Sequence, residues 1–297
     1  IEIVGNTRMR EKVIRREICL IECDVFNSAL LQASRRNLEA LGFFEEVKLD
    51  TRRGAAEDKV DVIVDVKEKP TGAFSIGGGF SSVDGVIGMV SISQSNLFGY
   101  GKRALVSGQI GTQANRFNLV YTDPHFWDSN WLMEMRGYKT DTNYENNQGF
   151  NTDTIGGAFS FGHRVLERVY GTLTYTIEDV LIKDVTDNAP FLVKQQAAQN
   201  DGWSMTSSIT ASLLRDARDS ATEPTQGNRT RLLATYAGGY LGADNNFTKY
   251  AIESSQYWPL WWRTVFNLRG TFWYGDSFGD TPQLPVQERY FLGGPNT

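Results

Sequence analysis

The chain has 297 residues, a net charge of −5 with acids and bases interspersed, 40% hydrophobic residues and a mean hydropathy of −0.36. This balance excludes the basic stripe that a nucleic-acid surface requires, and no run of about 18 apolar residues supplies a transmembrane helix. It leaves open a membrane-spanning β-barrel, whose strands show lipid only every second side chain.

The chain opens on strand-like Ile1–Val4 with no signal peptide, as a piece of a mature protein would. Gly5-Asn6 is a turn, and Met9, Val13, Ile14 and Ile18 then share a helical face. Cys19 and Cys23, the only cysteines, stand close enough for a bridge in an oxidising compartment, two free thiols being the plainer state. Asn27 or Ser28 can cap a second helix with Leu31, Leu38 and Leu41 on one stripe, which Gly42 is placed to stop. A strand follows over Phe44–Asp50. Another over Val60–Lys67 puts Val60, Val62, Val64 and Val66 on one face. Residues 1–69 therefore predict a small α+β domain of order β-α-α-β-β. Lys69-Pro70-Thr71-Gly72 ends it, because proline interrupts strand pairing.

From residue 70 to 297 the helical period is absent, and strands of about ten residues alternate in polarity between turn signals. Val169–Glu178 is the clearest. Val169, Gly171, Leu173, Tyr175 and Ile177 share one face; Tyr170, Thr172, Thr174, Thr176 and Glu178 share the other. A sheet with one apolar and one polar wall, repeated over about eleven strands, predicts an antiparallel transmembrane barrel, and the fold class is mainly β. The apolar wall runs from Phe74, Ile76 and Phe80 through Trp131, Met133 and Met135 to Phe266, Leu268 and Phe272. Glu134, Arg136, Glu178, Arg231, Lys249, Glu253 and Arg269 fall on the other wall, since a midplane Arg or Lys facing lipid costs roughly 2–4 kcal/mol.

Turns on the side where the N-terminal domain enters are aromatic: Leu97–Tyr100, His125–Trp131 and Tyr257–Trp262. Rings at headgroup depth make an interfacial girdle. Longer connections, Asp141–Gln148 and Lys183–Gly202, fall on the far side, which places residues 1–69 in the periplasm of an outer-membrane protein. Such barrels close with an even number of strands, and Gly293–Thr297 reads as a loop. The expectation is a barrel truncated before its closing strands.

These segments resemble the BamA family, the central subunits of the outer-membrane β-barrel assembly machinery. Leu41–Val47 (LGFFEEV) and Val62–Thr71 (VIVDVKEKPT) resemble its last POTRA (polypeptide-transport-associated) domain. Gln94–Gly101 (QSNLFGYG) and Asp123-Pro124-His125-Phe126 resemble its periplasm-side turns. Asp216, Arg218 and Asp219 followed by Pro224, Thr225 and Gly227 match a D-x-R-D…P-T-x-G turn. Glu288–Gly294 matches the approach to the sixth extracellular loop, whose V-R-G-F/Y continuation does not follow Thr297. The resemblance implies roughly sixteen strands in all. It also implies a protein that folds and inserts other barrels, with unfolded outer-membrane proteins, accessory assembly lipoproteins, periplasmic chaperones and outer-membrane lipid as partners. Arg15, Arg16 and Glu17 resemble the segment that docks an accessory lipoprotein; as a bare charge run they would be a solvated face.

Enzyme chemistry is not expected. His125 and His163 fall in predicted turns, no Cys/His cluster has metal-ligand spacing, and no helix follows Gly77-Gly78-Gly79 to make a phosphate loop. Asp216 and Asp219 read as a charged turn rather than a carboxylate pair. No cofactor and no metal are predicted.

The candidate sites lie on strand edges. Phe74, Ser75, Ile76, Gly77, Gly78, Gly79, Phe80 and Ser81 form the first barrel strand. Its interior glycines weaken it or serve close packing or a kink. An open edge can add another chain's strand, and in the BamA family the barrel is thought to open at this seam. Glu45, Glu46, Val47, Lys48 and Leu49 form a strand of the N-terminal domain expected to receive substrate. The alternatives are a polypeptide secretor of the two-partner type, a passive porin, for which residues 1–69 have no use, and a soluble β protein.

Overall fold

The computed structural model describes residues 1–54, 56, 59–81, 85–143 and 149–290. Positions 144–148 of the expected Asp141–Gln148 connection, and positions 291–297 with the expected closing loop, lie outside the described residues. The chain forms two compact units, one of residues 1–75 and 91–106, the other of residues 76–90 and 107–297.

The first unit begins with β1 (Glu2–Val4), α1 (Glu11–Arg15), α2 (Ser28–Ala40), β2 (Phe44–Arg53) and β3 (Val60–Glu68), in the predicted order. Its sheet runs β1-β3-β2, with β1 parallel and β2 antiparallel to β3. Asn27 caps α2 by accepting from the Ala29 amide at 2.8 Å, and Gly42 leaves the helix at φ +71°. Met9, Val13, Ile14, Leu31, Leu38, Phe43, Val62, Val64 and Val66 fill one core. Two expectations are corrected here. The first helix does not reach Ile18, because the Cys19 amide is drawn to the buried Ser34 Oγ at 2.8 Å. Val60 is exposed at the sheet's end, paired only with Arg53. Cys19 and Cys23 are free thiols.

Glu68, at the end of β3, accepts from the amides of Thr7, Arg8 and Met9 and from the Thr7 hydroxyl, which ties the first loop to the sheet. Against that loop lies the turn at Phe98–Gly101. The Arg10 amide donates to the Gly99 carbonyl at 3.0 Å and the Arg10 guanidinium sits 4.0 Å from the Tyr100 ring centroid. Tyr100, expected among the interfacial rings, is thus engaged by cations.

Eleven strands among the described residues form the barrel wall: β4 (Gly72–Ser81), β5 (Gly85–Leu97), β6 (Lys102–Gly111), β7 (Ala114–Asp123), β8 (Trp131–Asn143), β9 (Asn151–Leu166), β10 (Val169–Lys183), β11 (Trp203–Asp216), β12 (Gly227–Ala237), β13 (Phe247–Pro259) and β14 (Val265–Ser277). They lie in chain order, and every described pairing from β7 to β14 is antiparallel.

In the second unit the alternation holds. Leu173, Tyr175 and Ile177 are 53%, 40% and 39% exposed, so the apolar wall faces outward rather than into a sealed core. Met133 departs from it at 7% exposure, opposite Phe161 in an aromatic cluster with Phe159 and Phe126. His163 lies in β9, not in a turn, and stacks on Trp131 with centroids 4.6 Å apart. Loop lengths do not divide cleanly by side. The near-side connection at 217–226 is long and the far-side one at 112–113 is a tight turn, although residues 184–202 do form a large far-side loop with a short helix at Phe191–Ala197.

Candidate functional site

β4 is the last strand of the sheet order, and one of its edges has no partner strand among the described residues. Phe74, Ile76 and Phe80 are 65%, 74% and 79% exposed. None of Gly77, Gly78 and Gly79 has positive φ. A Cβ on Gly79 would meet nothing within 4 Å, and on Gly77 or Gly78 would meet a neighbour at an ordinary 3.4 Å. Neither close packing nor backbone conformation demands glycine at these positions. The run does lower the strand's intrinsic stability, by roughly 0.5–1 kcal/mol per residue relative to alanine. A strand weakened in this way gives up its pairing more readily than its neighbours.

In the first unit β2 is also an edge strand. Phe44–Asp50 and the α2 residues Arg35 and Glu39 line a groove of about 570 Å³ along it. The register slips between Phe44 and Glu46, a bulge beside which Glu45 pairs with Lys67 at 2.7 Å. That hydrogen-bonded pairing holds the Glu45 carboxyl below the ordinary carboxylate range. Glu46 and Lys48 pair at 3.2 Å while Val47 points into the core.

Arg15 is engaged by Glu11 at 2.5 Å and by Glu22 at 2.6 Å, and Arg16 lies 3.4 Å from Glu17. The three residues therefore present a paired surface, with Arg16 and Glu17 half-buried.

The Asp216–Gly227 connection is closed on itself. Arg218 donates to both Asp216 oxygens at 2.9 and 2.7 Å. Asp219 accepts from the amides of Ser220, Thr225 and Gln226 at 3.0, 2.9 and 3.2 Å and from the Thr225 hydroxyl. These bonds depress its pKa to about 2. Pro224 and Gly227, with φ +100°, complete the turn. Carboxylates whose acceptor sites are filled by their own loop are scaffold groups.

The inner wall carries features that the alternation did not single out. Tyr138 lies over Gly156, where a Cβ would stand 2.5 Å from the ring, and its hydroxyl donates to Glu178 at 2.5 Å, bridging β8 to β10 across β9. After β14 the chain returns to this wall. Lys249 pairs with Glu288 at 2.8 Å, and Tyr290 stacks on Trp273 with centroids 5.2 Å apart. Arg231 and Glu253 stand 3.9 Å apart on the same wall.

The family profile described as the Omp85 superfamily domain matches residues 96–297, and that for POTRA, a surface antigen variable number repeat, matches residues 1–69. The outer membrane protein assembly factor BamA of Nitratidesulfovibrio vulgaris is 29% identical over 98% of this chain and 36% of that protein. BamA of Neorickettsia risticii is 28% identical over 98% of this chain and 39% of that protein. The chain thus spans less than two-fifths of these relatives. The crystal structure of BamA from Haemophilus ducreyi lacking POTRA domains 1-3 aligns over 100% of this chain and 58% of its own, with a TM-score of 0.82 at 21% identity, a match of fold.

Proposed function

Since the chain belongs to the Omp85 superfamily, we propose that it acts in the outer membrane as a factor that folds and inserts β-barrel proteins, with its N-terminal domain in the periplasm. The observation that carries this reading is β4 itself: apolar on its outward face and weakened by three glycines that neither backbone conformation nor close packing requires. A client strand would add to Phe74–Ser81 by main-chain hydrogen bonds and zip onward as it folds. The β2 edge, Glu45–Leu49, would take extended client from periplasmic chaperones. Accessory lipoproteins would dock where α1 ends, on Arg15 and the following Arg16 and Glu17, reading the pairs of Arg15 with Glu11 and Glu22 rather than bare cations. The chemistry is strand exchange, with no catalytic side chain.

Photocrosslinkers placed singly at 74–81 in the full-length protein are expected to capture folding outer-membrane proteins. Failure at every position removes the templating role. Depletion separates assembly from secretion: loss of many barrel proteins is expected, whereas loss of one exported polypeptide alone would overturn the assembly reading.

A further inference from the structure

Two near-side turns of the second unit are built on consecutive left-handed residues that are not glycine. Trp127 and Asp128 have φ +52° and +57°; Trp262 and Arg263 have φ +56° and +59°. Hairpin turns of this kind favour Asn-Gly, because a bulky L residue is strained there. Strain kept at an exposed turn points to a task for the side chain. Trp262 is 89% exposed and projects from the β13–β14 turn. The same rim carries exposed arginines. Arg215 lies two residues beyond Leu213 on the outward face, where the apolar stripe of β11 ends. Arg168, at φ +63° in the β9–β10 turn, is adjacent, since its carbonyl accepts from the Asp216 amide at 3.0 Å. The side chains of Arg168, Arg215 and Arg263 make no ion pair among the described residues, even though Glu167 neighbours Arg168 in sequence. A cation on the lipid side of a barrel is tolerated at the interface, and a guanidinium there matches phosphate in charge and in its forked donors.

We propose that this rim binds anionic phospholipid headgroups, with Arg168, Arg215 and Arg263 taking the phosphates and Trp262 seated at the boundary between headgroup and acyl chain. The proposal rests on the outward wall meeting lipid and is independent of any client. It is tested by reconstituting the full chain in phosphatidylcholine vesicles with trace spin-labelled phosphatidylglycerol or phosphatidylcholine and measuring the motionally restricted fraction of each. The wild type is expected to prefer phosphatidylglycerol severalfold at low salt, falling towards parity at high salt. R168Q/R215Q/R263Q should abolish the preference and R168K/R215K/R263K should retain most of it, which distinguishes lost charge from lost fold. W262N/R263G should raise the thermal midpoint while reducing the preference. Parity in the wild type, or an unchanged preference in the glutamine variant, overturns the proposal, as does a W262N/R263G variant that is more stable with its preference intact. Because no client is present, none of these results bears on the assembly reading.

Discussion

Asp219 shows how much one side chain can organise. It satisfies the amides of Ser220, Thr225 and Gln226 in a turn exposed to water. Its folded pKa, about 2, lies below the ordinary 3.8, so the turn's stabilisation is complete above the unfolded value and is lost as pH falls through the folded one. Hydrogen exchange at Thr225 and Gln226, corrected for intrinsic rates, should stay protected down to about pH 4 and lose protection towards pH 2. Asp219→Asn should show reduced protection already at neutral pH. Tyr138 makes a second case. Gly156→Val would push its ring off the wall and away from Glu178, and overpacking of this kind costs about 1–3 kcal/mol. Urea unfolding in detergent micelles checks it, with Tyr138→Phe, which keeps the ring and loses only the hydrogen bond, expected to cost less. The Tyr138 contact was not legible in the sequence because it joins three strands, whereas alternation reports only the face a residue occupies. Asp219 was legible as part of a motif, but its role as the turn's acceptor depends on residues up to seven positions away.

Elements were legible where their determinants are local. Asn27 and Gly42 bound α2 because a cap and a left-handed exit are set by the residues themselves. β10 was legible because its period is unbroken over Val169–Glu178; beyond that it inverts, and Val180 and Ile182 are buried on the opposite face. α1 came out shorter because a tertiary bond to Ser34 redirects the chain, and Met133 is buried because an aromatic cluster lies beside it. Neither cause has a local sign. Leu38, fully buried on α2, should cost the first unit about 2–5 kcal/mol when changed to alanine, read from exchange of the Val64 and Val66 amides. β4 makes the opposite prediction. Gly79→Ala meets no neighbour and should strengthen the strand by roughly 0.5–1 kcal/mol. If β4 works by exchanging partners, the same change should slow insertion of a reporter barrel by reconstituted full-length protein. An unchanged or faster rate would detach strand weakness from function.

At the scale of the molecule, two patterns define the protein: a small α+β unit with one core, and a wall of antiparallel strands with polar groups on one face and apolar groups on the other. The class of fold followed from that contrast in period. The weakness of β4 was legible in its glycine run, and its use as a seam and that of β2 as a receiving strand were suggested by family likeness; the sheet order adds that β2 is an edge of its three-stranded sheet. The whole account depends on the apolar wall meeting hydrocarbon. Spin labels placed singly at each position from Val169 to Glu178, in protein reconstituted into phospholipid vesicles, test this directly through collision with oxygen and with a water-soluble nickel complex. Positions 169, 171, 173, 175 and 177 should favour oxygen and positions 170, 172, 174, 176 and 178 should favour nickel, in strict alternation. Equal accessibility at successive positions, or exclusion of both reagents at Leu173, Tyr175 and Ile177, would contradict it.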